Sequence, residues 1–527
     1  MPQSYKKQKP DSTYDYVIIG SGISGIGLAA ILGKEGFRCV VLERHYTPGG
    51  YTHVFTRRGY EWDVGIHYVG EVHREGSTTS RLMSYISDGT LRWEEMDEEY
   101  DRIYLGDEKV FGIRKGIQNY KASLYNEFPD EKHAIDQYFE LLKQAGKATY
   151  SLFMRKGMPG MLKWLFGNSM KKRAAAFEGK TTREVLEGIT QNETLIGVLT
   201  GQYGDYGLPP SESSFLMHTM LVTHYFNGGS YPVGGSSSIY KSIEPVIQQY
   251  GGAVYINAEV KELWVEKNKA KGVVMVDGNR IKATKGVISS AGFVTTYEKL
   301  IPPYLNIPKP KVLEEVKPSS AHLCLYVGMN GSAEELQLTK TNFWIYPGVN
   351  HDTSVEAYRK DQEEAALPVI YISFPAAKDP DWQMRYPGKS TLEIITISDY
   401  EYFKEWENQP WKKRGEAYEH FKEQLSQKLL EALYEKLPQL RGKVDYYELS
   451  TPLSTAHFMN YTKGEIYGLN HTPERFYSDE LNVKTPIKNF YMTGQDLISC
   501  GFAGSLSAAY VTASYLRKKN MFKKAKK

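Results

Sequence analysis

Cysteine is scarce: three in 527 residues, at Cys39, Cys324 and Cys500, with no C-x-x-C pair and no metal-ligand spacing. That excludes a disulfide framework and a dithiol redox centre, and it fits a reducing, cytoplasmic compartment. Long apolar runs are also lacking. Only Tyr16–Gly33 and Leu497–Leu516 are free of charge over a span-like length, and glycine, serine and alanine crowd both, so they read as buried strand–turn–helix units rather than membrane spans. The opening MPQSYKKQKPDST lacks the apolar centre of a signal peptide. Charge of one sign is missing too. A net charge of +3 gives no electrostatic case for a nucleic-acid partner. No metal cluster and no Ser-His-Asp order stands out.

What the chain does have is tyrosine, 40 of them, a residue suited to walls that are apolar in body and polar at one tip. It also has "YDYVIIGSGISGIGLAAILGKEGFRCVVLERHYTPGG", from Tyr14 to Gly50. Tyr16–Ile19 is a short apolar run of the kind that forms a strand buried on both faces. Gly20, Gly22 and Gly25 follow: one for the tight turn, one for close approach to a pyrophosphate, one for helix–strand packing. The phosphates would sit at the helix N-terminus, where free N–H groups and the dipole favour anions. A second strand, Cys39–Leu42, ends at Glu43, placed to accept bonds from adenosine ribose hydroxyls and to repel a 2′-phosphate. The turn therefore binds a dinucleotide, and NADP is disfavoured.

Four further segments bear on which dinucleotide. Pro48-Gly49-Gly50 offers a second close-approach loop, as the ribityl chain of a flavin requires. "RRGYEWDVGIHYVG" (57–70) is aromatic and glycine-broken. Tyr231 to Gly292 reads as a helix and then strands near Val254–Ile256, Val260–Val265, Gly272–Val276 and Val287–Ser289. Asn489 to Leu516 reads again as strand, turn and helix, with Gly494-Gln495-Asp496 at the strand end and a helix starting near Ala503 whose positive end would favour an anionic reduced flavin. No second G-x-G-x-x-G with an acidic strand end occurs, so electrons must come from a partner protein, a transient donor or the substrate.

On "GGYTHVFTRRGYEWDVGIHYVG", "HYFNGGSYPVGGSSSI", "IYGLNHTPERF" and "YMTGQD…CGFAGSLSAA", the chain resembles the FAD-dependent phytoene desaturase, carotenoid isomerase and retinol saturase superfamily, most of all its retinol saturase branch. Val233 departs from the pattern, where a basic residue often precedes the glycine pair. The resemblance implies an α/β fold: a discontinuous, Rossmann-like FAD-binding domain of the amine-oxidase and phytoene-desaturase type (14–80, 226–300 and 476–527) and an α+β substrate domain (81–225 and 301–475). It implies that Ser21, Gly22, Ser24 and Gly25 hold pyrophosphate and that Glu43 and Arg44 hold ribose. Gly49, Gly50, Tyr51 and His67 would lie along the flavin, Val260 at adenine, and Ala291, Gly292, Gly494 and Asp496 near the ribityl and phosphate region. The implied activity is oxidoreduction of C=C bonds in an apolar polyene or isoprenoid. Saturation of a retinol-like polyene is the leading expectation, with cis–trans isomerisation or desaturation as alternatives. A reading of another class is a flavin-free, prenyl-lipid-binding protein like the GDP-dissociation inhibitors; the intact glycines and Glu43 argue against it.

Saturating a C=C bond needs a hydride at one carbon and a proton at the other. His67, Tyr68, His224 and Tyr225 are the candidates for proton handling, each weighed against a purely structural role. His471 has similar standing, Glu474 and Arg475 are expected to pair, and Cys500 is expected to be a small apolar filler. In the remaining chain, runs at Leu323–Val327, Val369–Phe374 and Leu392–Ser398 point to an antiparallel sheet over the cofactor. Trp411–Leu440, with Phe421, Leu425, Leu429 and Leu433 at helical spacing, reads as a solvated surface helix. In "MPGMLKWLFGNSMKKRAAAF", residues Met158, Met161, Leu162, Leu165, Phe166 and Met170 share helical spacing among Lys156, Lys163, Lys171, Lys172 and Arg173. That helix, near 156–176, either packs on the core or lies peripherally on the inner face of a membrane at a substrate portal.

Overall fold

Thr13–Ile19 and Cys39–Leu42 pair in parallel, joined through the helix Ile23–Lys34. Their runs of Val, Ile and Leu have no polar face to give to water, and both strands are buried on either side. The computed structural model describes residues 2–107, 109–158 and 160–526, with side chains of 160–163 outside the described set. Thr13–Ile19 also pairs in parallel with Arg280–Ser289, which in turn carries Phe490–Met492. The resulting eight-stranded sheet draws on the chain's beginning, middle and end. The hairpin of Val260–Glu266 and Lys269–Met275 starts its second strand earlier than Gly272 because Lys267 and Asn268, both at positive φ, form its two-residue turn.

A second sheet has seven strands, in the order Val444–Ser450, Ala321–Asn330, Lys389–Ser398, Ile370–Ser373, Asn342–Tyr346, Glu99–Leu105 and Lys109–Arg114. It is antiparallel except where Asn342–Tyr346 runs parallel to Glu99–Leu105. The register sets rows across it. Cys324, Ile395, Tyr371, Trp344 and Ile103 stand opposite one another, and two residues along lies a polar row of Glu393, Ser373, Asn342 and Asp101. Side chains alternate faces with period two, so these two rows share one face of the sheet.

Gly415–Lys436 forms the long helix expected within Trp411–Leu440, yet it is not free on the surface: Leu425, Leu429 and Leu433 are buried in one cluster with Leu323, Leu325 and Leu392 of the sheet. Gly160–Ala174 is the opposite case. Its Leu165 is 55% exposed and Phe166 53%, with Trp164 at 80%, so the core-packed alternative is wrong for these side chains. Met161, Leu162 and Lys163 lie outside the described side chains. Lys156 belongs to the preceding helix, buried, donating to the Leu497 carbonyl at 2.8 Å, and takes no part in a basic outer face. Among the described residues no helix is long and apolar enough to cross a membrane.

The turn after Thr13–Ile19 is closed by glycine packing. A Cβ on Gly25 would collide with the Gly20 carbonyl oxygen, and Gly20 has φ of +95°. Gly25→Ala is therefore expected to cost about 3 kcal/mol or more of stability, read as a lowered melting temperature; an unchanged transition would contradict this packing.

Candidate functional site

A single cavity of about 970 Å³ runs from the Gly20–Gly25 turn to the face of the seven-stranded sheet that carries these rows. At its first end, Gly22 is the N-cap of Ile23–Lys34 with φ of −55°, and a Cβ there would meet nothing within 4 Å. Space is thus kept at a helix N-terminus, the arrangement that receives a phosphate. Gly50, at φ +56°, comes so close that its own Cβ would stand 3.0 Å from the Gly22 Cα. Ser21 ties three segments together: its N–H and hydroxyl donate to Glu43 Oε2 at 2.9 and 2.7 Å, and its oxygen accepts from the Gly49 N–H at 3.0 Å. Glu43 Oε1 also accepts from the His45 N–H at 2.8 Å. These bonds hold the Glu43 carboxylate at the cavity wall. Ser21, Gly22, Ser24, Arg44, Gly49, Gly50, Tyr51, Val260, Ala291 and Gly494 line the same space. Residues 501–505, the start of the helix Gly501–Arg517, line it as well and close the other side with a second N-terminus.

Three expected members stand behind the wall: Gly25, packed against the Gly20 carbonyl rather than facing the space where pyrophosphate would lie, Asp496 and Gly292. Both carboxylate oxygens of Asp496 are taken by backbone, one by the Phe293 N–H at 2.8 Å and one by the Leu469 N–H at 2.9 Å. Gly292, at φ +80°, turns the chain into Phe293, and a Cβ on it would press on Asp496. Asp496 is thus a cap joining three chain segments, and Gln495 and Gly494 are what reach the cavity.

The far end is a chamber walled by Tyr68, Tyr225, Trp344, Tyr371 and Tyr467. All four proton-handling candidates line it, and the structure separates them. His224 Nε2 accepts from the Gly70 N–H at 2.9 Å, so its free lone pair is spent on backbone; burial lowers its pKa to about 4. Tyr225 stacks on Tyr68, ring centroids 4.3 Å apart and planes nearly parallel. His67 is held neutral: burial first, then the Lys378 ammonium and His322, push its pKa down to about 3. Its Nδ1 is buried without a hydrogen-bond partner among the described residues, 3.9 Å from the similarly unpartnered Glu393 Oε2. Tyr68 is the connected one. Its hydroxyl lies 3.0 Å from Asp101 Oδ2 and 3.0 Å from Asp205 Oδ2.

Asp101, Asp205, Lys378 and Glu393 did not stand out in the sequence. Lys378, wholly buried, donates to the His67 carbonyl at 2.9 Å, to Ser373 Oγ at 2.8 Å and to Asn342 Oδ1. Burial lowers its pKa to about 8, against the pull of Glu393, Asp101 and Asp63. Asn342 passes its amide N–H to Asp101 Oδ1 at 2.8 Å, and Gln202 donates to Asp101 Oδ2 at 2.6 Å. Burial raises Asp101 to about 6, held back by these donors and Tyr68. Asp205 is raised further, to about 8, by burial and then by the neighbouring Asp101 charge. Asp205 sits in the turn Tyr203–Asp205 within "YGDYG".

His471 is structural, its Nε2 accepting from the Cys500 N–H at 3.0 Å. Arg475, buried, donates to the carbonyls of Leu469 and Gln495, a role other than the expected pairing with Glu474. Cys500 caps the helix Gly501–Arg517; burial pushes its thiol up to about 12, consistent with a filler. No group of three or more His, Cys, Asp or Glu among the described residues could hold a metal ion.

Residues 18–86 match the family described as an NAD(P)-binding Rossmann-like domain. The chain is 35% identical to the all-trans-retinol 13,14-reductase of Danio rerio, over 99% of this chain and 89% of that one. A second Danio rerio protein, named an inactive all-trans-retinol 13,14-reductase, is 31% identical over 98% of this chain and 87% of its own length. The chloroplastic prolycopene isomerase of Arabidopsis thaliana is 25% identical over 97% and 84%. Among solved structures, putrescine oxidase aligns with a TM-score of 0.63 at 13% identity, covering 97% of this chain and 100% of that one, a likeness of fold. With its dinucleotide cradle, aromatic chamber and full-length kinship, the chain belongs to the all-trans-retinol 13,14-reductase family.

Proposed function

We propose that this protein is an FAD-dependent oxidoreductase that saturates a C=C bond in a retinol-like polyene. The observation that carries the reading is the continuity of the cavity: a phosphate-accepting turn with an acidic ribose anchor at one end, and an apolar, tyrosine-rich chamber at the other. The fit to a flavin dinucleotide rests on the open space at Gly22, the second loop at Gly49-Gly50 and two helix N-termini facing one space. Bound there, a reduced flavin supplies a hydride equivalent. The chain's own work is to bind and to orient. Ser21, Gly22 and Ser24 would hold pyrophosphate, Glu43 and Arg44 ribose, and Val260 adenine, while the stacked rings of Tyr68, Tyr225 and Tyr371 would wall the polyene on one side and exclude water. Buried polar atoms without a partner among the described residues, Thr219 Oγ1, His322 Nδ1 and Trp344 Nε1, line the same wall. They give a polar end-group of the substrate or cofactor places to bond.

The exposed Trp164, Leu165 and Phe166, followed by Lys171, Lys172 and Arg173, belong to this reading as a peripheral contact with an anionic bilayer. Tyr150, on the adjoining helix Lys132–Lys156, both lines the cavity and is 66% exposed, which supports entry of an apolar substrate on this side.

Three measurements test the reading. Purified protein should carry flavin absorbance, and Gly22→Ala should fold with wild-type stability while binding FAD about tenfold or more weaker, about 1.4 kcal/mol; unaltered FAD affinity would overturn the cradle assignment. Anaerobic incubation of the reduced protein with all-trans-retinol should yield a product heavier by two hydrogens. A product of unchanged mass means isomerisation, and one lighter by two hydrogens from the oxidised protein means desaturation. For the membrane contact, burial of each large apolar side chain is worth about 2 kcal/mol, so replacing Trp164, Leu165 and Phe166 together by Ser should abolish binding to anionic vesicles; equal binding by that variant would refute it.

A further inference from the structure

We propose that Asp205 is the proton donor of this site, a neutral carboxylic acid held over the chamber by Tyr68 and Asp101. The inference deepens the proposed saturation reaction and rests on that reading for its substrate, but the protonation it assigns follows from hydrogen-bond directions and the mutual repulsion of two acids.

The direction of each bond is fixed from one end. Lys378 can only donate, so the Asn342 oxygen must face it, and the Asn342 NH2 then faces Asp101 Oδ1 at 2.8 Å. Asp101 must accept that bond. It also takes the Gln202 amide on Oδ2 at 2.6 Å. Tyr68 approaches Asp101 and Asp205 equally, at 3.0 Å to one oxygen of each. A phenol has one proton, so it donates to one carboxyl, and the other contact is a hydrogen bond only if that carboxyl donates to the phenol oxygen. One of the two carboxyls therefore carries a proton. Two carboxylates sharing one phenol oppose each other's ionisation, and the charge settles where donors are most numerous. Asp101 accepts from Asn342, Gln202 and Tyr68, with the Lys378 ammonium beyond the amide. For Asp205, Tyr68 is the one side-chain bond among the described residues. Asp101 is thus the carboxylate and Asp205 the acid. The raised pKa of Asp205, caused by burial and then by Asp101, agrees.

The groups facing Asp205 from the packed elements are Tyr68, Tyr225, Tyr371, Tyr467, Asp101 and the Cys500 thiol, whose Sγ lies 3.6 Å from the Asp205 carbonyl. Asp101 is the charged member of the pair, and none of the others is a competing acid near neutral pH, since burial drives each phenol well above its ordinary value and the thiol to about 12. His67 and His224 are held neutral. Asp205 lines the cavity, as does Tyr68.

The step balances as follows. The first carbon would take two electrons and one hydrogen as hydride, which a reduced flavin would supply and be oxidised in doing so. The Asp205 O–H bond breaks, and its proton forms the new C–H bond at the second carbon. The polyene is reduced by one C=C bond, and Asp205 is left a carboxylate. The Tyr68 hydroxyl turns from Asp101 to Asp205 and stabilises that charge until solvent returns a proton. Tyr68 and Asp101 are positioning residues in this scheme.

The test is infrared spectroscopy of the flavin-loaded protein at pH 7, alongside single-turnover retinol reduction in H2O and D2O. The difference spectrum of wild type minus Asp205→Asn should show the carbonyl stretch of a neutral carboxyl, which separates it from that of Glu393, also raised well above its ordinary value by burial. Asp205→Asn should lose that band and lower the rate of product formation about 100- to 10,000-fold, the usual worth of a general acid, with flavin still bound and still reducible by dithionite. Tyr68→Phe should keep the band but shift its frequency, which also serves if the Asn variant folds poorly. Persistence of the band in Asp205→Asn, its indifference to Tyr68→Phe, or full turnover of Asp205→Asn would overturn the assignment. A wild-type protein that shows the band but leaves retinol unchanged would sink the substrate reading and leave the acid standing.

Discussion

The buried ammonium of Lys378 is the interaction on which the chamber depends. A charge taken out of water survives only if it is bonded and balanced, and this one is both. Its three donors go to the His67 carbonyl, Ser373 and Asn342, joining the loop before Tyr68 to two central strands of the seven-stranded sheet. Its charge lies near Glu393, Asp101 and Asp63, all buried. Without it, the polar row across that sheet would be a set of uncompensated acids on an apolar face. With it, hydrogen-bond direction runs one way, from ammonium through amide to carboxylate to phenol.

The other end of the cavity obeys a different constraint, close backbone approach. Gly25 against Gly20, and Gly50 against Gly22, bring a helix start and two loops around one space, and Ser21 locks them to Glu43. Strand pairing across nearly the whole chain, Thr13–Ile19 with Arg280–Ser289 and then Phe490–Met492, carries Gly494 and the start of the helix Gly501–Arg517 to the same place. The two ends thus use opposite physics. One is built from backbone dipoles converging on an open space, the other from a few satisfied charges inside an aromatic wall.

Much of the first end was legible in the sequence, because its signals are local: an apolar run, glycines at fixed spacing, an acid at the end of the next strand. Glu43 and the strands at Cys39–Leu42 and Val287–Ser289 lie where periodicity placed them. Asp496 misled because a strand-end acid in a glycine turn looks like a ligand contact, while its oxygens went to backbone amides. The second end was legible only in part. His67, Tyr68, His224 and Tyr225 do line the chamber, but which of them is spent on backbone depends on partners up to hundreds of residues away. Asp101, Asp205 and Lys378 come from three separate segments, and an isolated Asp in "YGDYG" carries no mark of burial. The helix Gly160–Ala174 shows the same limit, since apolar spacing gives a face and not the direction in which it points.

The most direct measurement of the account is a crystal structure of the protein with FAD and a polyene alcohol bound. The cofactor's pyrophosphate should rest on the Gly20–Gly25 turn, and an Asp205 carboxyl oxygen should stand within about 3.5 Å of one carbon of a substrate double bond. A polyene bound with Tyr68 or Tyr225 interposed between it and Asp205, or seated outside the tyrosine chamber, would contradict it.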